Sequence, residues 1–361
     1  MNLLLLGCVA FVVSGALILV LWPLCVRCGH VDHPGGRKRH DISTPLSGGI
    51  AITIAIVAVG AFLVPSARFA GFTLGVCTLL VLGAMDDRKH VPALLRLAAQ
   101  TLAVALGMCL LGGVSIERLG NLLGTGQLTL DQWSIAFTIF AAVGVINAVN
   151  MIDGMDGLAG GFAVLVIAVL IALTVSNGTS AISLVLLCLS IGSILGFLVF
   201  NLRMPWQRRA RVFLGDGGSL VLGYMLAWFA IQASQSQAPV IDPIAIVWLF
   251  GLPLCDTVYL MGSRVLRGRS PFAADRYHFH HMLQRAGLST GWALYAWLAV
   301  AAAFMAVGVA GSSLHAPEWL MFFGFLLAFA IYCIALSWIW SRRPAQRAVH
   351  KTKRSKLSFS R

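Results

Sequence analysis

Asn147-Ala-Val-Asn150-Met-Ile-Asp153-Gly-Met-Asp156-Gly-Leu-Ala-Gly-Gly161 separates two long apolar runs, Ile135 to Ile146 before it and Phe162 to Val175 after it. Two carboxylates and two carboxamides therefore stand where one hydrophobic stretch ends and another begins. Acids at the edge of a bilayer raise the free energy unless they meet water, cations or one another. A cluster of this kind reads as a functional site between two membrane helices. If Asp153 opens the second helix, Asp153 and Asp156 share one of its faces, and Gly154 and Gly157 let a ligand come close to the backbone. The competing explanation is a polar turn capped by Asn and Asp.

Outward from this junction, 59% of the 361 residues are hydrophobic and 11% are charged, more apolar surface than a soluble core requires. Eleven runs of about twenty residues, each able to cross a ~30 Å hydrocarbon layer as a helix, fall at about 3–25, 47–65, 70–85, 95–113, 132–150, 158–176, 180–200, 218–234, 243–263, 291–311 and 318–340. The chain is predicted to be an all-α polytopic membrane protein, with one multi-spanning domain over 1–341 and a basic, lipid-facing tail over 342–361. With the N-terminus outside, 24 of the 26 Lys and Arg residues lie in cytoplasmic segments and only Arg68 and Arg118 lie outside. That split sets the orientation and puts the C-terminus in the cytoplasm. The formal charge of +13 then faces anionic lipid headgroups. No nucleic acid is expected as a partner, because the basic residues are shared among five loops instead of forming one patch. The eight cysteines imply no disulfide framework, and Cys25, Cys28, His30 and His33 read as an ordinary helix end rather than a zinc site.

Several loops carry further chemistry. Arg37, Lys38 and Arg39 make the first cytoplasmic loop attractive to anions. The third span ends in Asp86-Asp87-Arg88-Lys89, where two acids oppose the dipole of their own helix. Such a pair suits the handling of a divalent cation or a proton, with neutralisation by Arg88 and Lys89 as the structural alternative. Arg96 opens the fourth span, and the Gly-rich segment from Gly112 to Asp131 is predicted to form a short hairpin or a re-entrant piece outside. In Phe213-Leu-Gly215-Asp216-Gly217-Gly218-Ser219 an acid stands in a Gly-rich turn, leaving backbone N–H groups free for a phosphate and its cation. The longest cytoplasmic loop carries Arg264 and then Asp275-Arg-Tyr-His278-Phe-His280-His281, a set that points to anion binding or proton transfer. Helical spacing puts His278 and His281 on one face and His280 elsewhere. Asp256, the one acid deep inside a span, receives no role.

Topology thus gathers Asp86, Asp87, Asp153, Asp156 and Asp216 on one membrane face, with Asn150, the histidines and many arginines. Acids for Mg2+, cations for a diphosphate and a hydrophobic wall for a lipid are what phosphoryl transfer between a nucleotide and a membrane lipid requires. Through Arg37-Lys-Arg-His, Asp86-Asp87, Asn147 to Gly157, Phe213-Leu-Gly-Asp and Asp275 to His281, the whole chain resembles the polyprenyl-phosphate N-acetylhexosamine-1-phosphate transferases. The resemblance implies a bacterial inner-membrane enzyme, with its active site on the cytoplasmic face, that moves a sugar-1-phosphate from a UDP-N-acetylhexosamine to undecaprenyl phosphate and releases UMP. The His-Phe-His-His form implies the branch that uses UDP-N-acetylglucosamine to start a cell-envelope glycan. Another UDP-N-acetylhexosamine, or the muramoyl-pentapeptide branch, is the alternative.

By the same resemblance, Mg2+ or Mn2+ is the cofactor, Asp216 its main ligand and Asn150 near it. Asp86 and Asp87 act at the lipid phosphate, and Asp153 and Asp156 line the nucleotide-sugar site. Lys38, Arg39, Asn147, Arg96, Arg264, His278, His280 and His281 bind substrate, Arg96 being the nearest equivalent of a lysine that the family often places after the paired acids. The resemblance leaves the assembly open between a monomer and a homodimer. Direct attack of the lipid phosphate on the donor is the expected route, with a phospho-aspartate intermediate as its rival. A transporter would instead place acids near midplane in repeated or broken helices, and a non-enzymatic scaffold would tolerate their neutralisation.

Overall fold

The computed structural model describes residues 2–32, 43–178, 181–204, 207, 209–271 and 278–341. Thirteen α-helices dominate these residues: α1 (Leu3–Arg27), α2 (Gly48–Leu63), α3 (Ala67–Arg88), α4 (Ala93–Leu102), α5 (Ser134–Ile152), α6 (Leu158–Asn177), α7 (Ala181–Asn201), α8 (Gly215–Gln235), α9 (Pro243–Leu249), α10 (Gly251–Leu266), α11 (Phe279–Arg285), α12 (Thr290–Ser313) and α13 (Glu318–Ser341). α4 runs on as a π-helical segment over Ala103–Leu111. The only strands among the described residues form two small antiparallel pairs, β1 (Val31–Asp32) with β2 (Thr44–Pro45) and β3 (Arg118–Gly120) with β4 (Leu128–Thr129). The second pair is the hairpin expected between Gly112 and Asp131. The Gln235 side chain holds it by accepting from the backbone N–H groups of Glu117 and Arg118, both at 3.0 Å.

Each of the eleven apolar runs becomes helical. Among the described residues nine helices are long and apolar enough to cross a membrane, ten if α9 and α10 form one broken span. The two depart from the expectation of eleven uniform spans for different reasons. α2 is apolar but only 16 residues long. α9 and α10 are bent by 73°, at a point where Pro253 has no N–H to give the Leu249 carbonyl and its ring crowds that turn.

α8 is the axis of the bundle. It is apolar on every side after its first turn and buried along nearly its whole length, as an all-round apolar helix must be. α2, α3, α5 and α6 pack around it, and Tyr224, Met225 and Trp228 are fully enclosed. The chain entering α8 is fixed by backbone bonds to the start of α2: Phe213 N–H to Pro45 O, Gly48 N–H to Phe213 O and Gly49 N–H to Leu214 O, at 2.9, 3.1 and 3.0 Å.

α3 meets the start of α8 at Gly83, where a methyl group would overlap the backbone of Asp216 and Gly217. An alanine at an unpacked helical glycine gains about 0.5–1 kcal/mol, whereas overpacking against backbone costs about 1–3 kcal/mol. Gly83→Ala is therefore expected to lower the thermal midpoint of the purified protein; a rise would show that the two helices are free to separate.

Candidate active site

Asp87 ends α3 pointing at the first turn of α8. Its Oδ1 accepts the backbone N–H of Asp216 at 3.0 Å, and Gly217 contributes a second backbone bond to the same carboxylate. The acid that opposes the dipole of its own helix thus sits at the positive end of another, which offsets the local cost. Gly215 takes a left-handed φ of 78° to turn the chain into α8, with the Asp87 carboxylate where a side chain would stand. Asp216 does not cap α8. It occupies the helix's first turn, so its carboxylate is turned to Asn150 of α5, whose Nδ2 donates to Asp216 Oδ1 at 3.2 Å and to Ser219 Oγ at 2.8 Å.

Asp153 and Asp156 arrive from the other side. Asp153 is the C-cap of α5, and α6 begins only at Leu158, so the two acids do not share a helical face. The reason is local: Gly157 stands at a φ of 80°, and its N–H bonds the Asn201 side chain at 2.7 Å, which holds 153–157 as a turn. Asp156 is committed to the loop after α7, accepting from Arg203 Nε at 2.7 Å and from the Ala210 N–H at 3.1 Å. The Asp153 carboxylate has no hydrogen-bond partner among the described residues. Burial, followed by the facing carboxylates of Asp216, Asp156 and Asp87, pushes its carboxyl up to about 8.

Asp86 faces away from this group. Its carboxylate, almost fully buried, accepts from the Val91 N–H at 2.8 Å and from Arg96 at 2.7 Å, so Arg96 rather than Arg88 or Lys89 is its ion-pair partner. Asn147 donates to Gln100 Oε1 and to its own helix at Val143 O, at 2.7 and 2.8 Å, and so belongs to the contact between α4 and α5. Arg264 is buried on α10 and donates to Pro271 O at 2.6 Å. Lys38 and Arg39 lie outside the described residues, as do Arg37, Asp275 to Tyr277 and the tail 342–361.

The histidines are arranged differently from the expectation. His278 is the residue before α11, in an extended conformation, so helical spacing does not apply to it. Its ring stacks on His280 with centroids 5.4 Å apart, and His280 lies 4.2 Å from His281. His280 is 1% exposed, packs against Gly154 and has both ring nitrogens without a hydrogen-bond partner among the described residues. The histidine cluster and the acid-bearing turn are therefore in direct contact. Burial, then the neighbouring His281 and His278, hold the His280 imidazole well below its ordinary range.

No three Asp, Glu, His or Cys side chains among the described residues stand close enough to hold a metal by themselves. The donors that converge on Asp216 are nevertheless all hard oxygens or amides. Mg2+ is commonly held by one or two carboxylates together with substrate phosphates rather than by an all-protein cage, and this set fits that mode. Ser219, Asn201 and Asp256 were not assigned at the sequence level. Each had a faint signal: a hydroxyl one turn after Asp216, a carboxamide closing an apolar run, and an acid inside one.

A profile of Glycosyl transferase family 4 matches residues 69–234. The chain is 34% identical over 336 residues to the undecaprenyl-phosphate alpha-N-acetylglucosaminyl 1-phosphate transferase of Yersinia pestis, covering 91% of this chain and 90% of that protein. The protein of the same name from Haemophilus influenzae is 33% identical over 350 residues, with 96% and 98% covered. Its counterpart in Escherichia coli K12 is 34% identical over 319 residues, with 86% and 85% covered.

A depressed imidazole binds fewer protons in the folded than in the unfolded state, so His280 penalises folding as pH falls below the ordinary value of 6.5. The thermal midpoint of the wild type is expected to drop between about pH 7 and 5, and to drop less in His280→Gln. Equal slopes for the two proteins would remove His280 as the source.

Proposed function

The chain belongs to Glycosyl transferase family 4, and within it to the polyprenyl-phosphate sugar-1-phosphate transferases, and from that we propose that it transfers N-acetylglucosamine 1-phosphate from UDP-N-acetylglucosamine to undecaprenyl phosphate. The observation that carries this reading is the meeting of Asp87, Asn150 and Asp216 at the start of α8, beside Asp153 and the buried His280. An oxygen of the lipid phosphate attacks the phosphorus that bears the sugar. The bond from that phosphorus to the bridging oxygen breaks, and UMP leaves with the electron pair.

Each residue has a part suited to its bonding. Asp216, with Asn150 beside it, would hold Mg2+ or Mn2+, which when bound neutralises the charge that develops on the phosphates. Asp87 secures the first turn of α8 and so the direction of Asp216. Asp153 rather than Asp86 or Asp87 keeps the attacking phosphate deprotonated, because Asp86 is paired with Arg96 and Asp87 with the α8 backbone whereas Asp153 has no hydrogen-bond partner among the described residues. Asp156 fixes Arg203 and the Ala210 backbone on the donor side. The histidine cluster receives the donor's diphosphate, with Arg264 as its cation. Arg96, paired with Asp86, reaches the lipid phosphate. Lys38 and Arg39 add positive charge from the first loop.

For topology, we take α2 as a short span and α9 with α10 as a broken one, giving eleven crossings with the N-terminus outside and the C-terminus in the cytoplasm. The 24 to 2 division of basic residues supports this orientation. It puts the site on the cytoplasmic face of the bacterial inner membrane, where a UDP-sugar is available, and fits the opening step of a cell-envelope glycan.

Purified protein supplied with Mg2+, radiolabelled UDP-N-acetylglucosamine and undecaprenyl phosphate is expected to form a lipid-linked product and UMP. Asp216→Asn should lower kcat by about 100-fold or more, as loss of a charge-stabilising group typically does. Absence of lipid-linked product, or full activity in Asp216→Asn, would overturn the assignment. Parallel reactions with other UDP-N-acetylhexosamines identify the sugar.

A further inference from the structure

Asp256 lies in α10 beyond the break with α9 and is 1% exposed. A carboxylate so placed is costly unless its lone pairs are satisfied. Three donors satisfy it. Oδ2 accepts from His278 Nδ1 at 2.9 Å, while Oδ1 accepts from the Phe279 N–H at 3.1 Å and from the Tyr332 hydroxyl at 2.7 Å. These donors come from the start of α11 and from α13, so one buried acid ties three helices together.

The bonding has a chemical consequence for His278. A carboxylate can only accept, so the proton between Asp256 and His278 belongs to Nδ1, and Nε2 is left for a ligand. The ring plane is fixed as well, because His278 is clamped by Asp256 on one side and stacked on His280 with an interplanar angle of 14° on the other. His278 makes no capping bond to its own helix; Asp256 supplies the acceptor for the first N–H of α11 instead. Tyr332 is itself held, its ring in edge contact with Tyr259 at 6.3 Å and with Phe279 at 6.1 Å.

We propose that Asp256 is a positioning residue of the transfer reaction: through Nδ1 it sets the tautomer and plane of His278, and through the stacked rings it sets His280, so that the histidine cluster meets the donor's diphosphate in one geometry. Tyr332 is the second member of this device, holding the carboxylate from α13. The assignment rests on the donor-binding role given to the histidines above. A purely structural tie would also be buried and fully bonded, but its loss would not depend on whether His278 is present.

That difference is measurable with a double-mutant cycle. kcat and the KM for UDP-N-acetylglucosamine are determined for the wild type, Asp256→Ala, Asp256→Asn, His278→Ala, the Asp256→Ala/His278→Ala double variant and Tyr332→Phe, with the thermal midpoint of each recorded. Loss of a carboxylate that orients a functional histidine typically costs about 10- to 100-fold. Asp256→Ala is expected to fall in that range and to match His278→Ala, the double variant is expected to be no worse than His278→Ala alone, and Asp256→Asn should recover part of the loss because its amide oxygen still accepts from Nδ1. Tyr332→Phe should be milder, since the bond to His278 remains. If Asp256→Ala does not fold, Asp256→Asn takes its place in the cycle. Losses that multiply in the double variant, or wild-type kinetics in a folded Asp256→Ala, would overturn the proposal. A wild-type protein without turnover would instead overturn the transferase function, and this assignment with it.

Discussion

The structure turns on a hydrogen bond between two helix ends that each carry an acid. Asp87 closes α3 and Asp216 opens α8, and the Asp87 carboxylate accepts the Asp216 N–H at 3.0 Å. An acid at a helix C-terminus is unfavourable and one at a helix N-terminus is favourable, so joining the ends turns a local cost into a fixed contact. The join needs the two backbones almost to touch, which is why glycine stands at position 83 and position 217. With the Asp216 N–H held by this contact, its carboxylate accepts from Asn150 of α5 at the mouth of a gap between the helices. The polar end of the bundle is assembled around that gap.

Charge is the second constraint. Of the five acids at this end, Asp86 is spent on Arg96, Asp156 on Arg203 and Asp87 on the α8 backbone. Asp153 has none of these bonds, and its carboxyl is raised by burial and then by the charges of Asp216, Asp156 and Asp87. A bound cation and the phosphates it accompanies would resolve these charges, and the proposed function gives the protein a use for them. The same economy governs the opposite wall, where the buried acid Asp256 organises the histidines rather than facing substrate.

Much of this was legible in the sequence, because hydrophobic run length and the distribution of Lys and Arg are strong, nearly context-free signals. The eleven helical runs, the junction at Asn147 to Gly161, the hairpin after Gly112 and the family all follow from residues read in order. Other features depend on distant partners. The bend between α9 and α10 required knowing that Pro253 would break rather than kink the span. The spacing of Asp153 and Asp156 suggested a shared helical face, but a left-handed Gly157 and the remote Asn201 made a turn instead. Asp86 and Asp87 are adjacent and chemically identical, yet one pairs with Arg96 and the other caps a helix 129 residues away. Nothing local distinguishes them.

The central claim is that the site is built outward from Asp216 at the first turn of α8. The position of Mn2+, located by anomalous diffraction from crystals grown with Mn2+ and UDP, tests it most directly. The account predicts an anomalous peak at metal–oxygen distance, about 2 Å, from the Asp216 carboxylate and on the side of Asn150. A peak seated on the histidine cluster, or on Asp86 and Arg96 with none at Asp216, would contradict it.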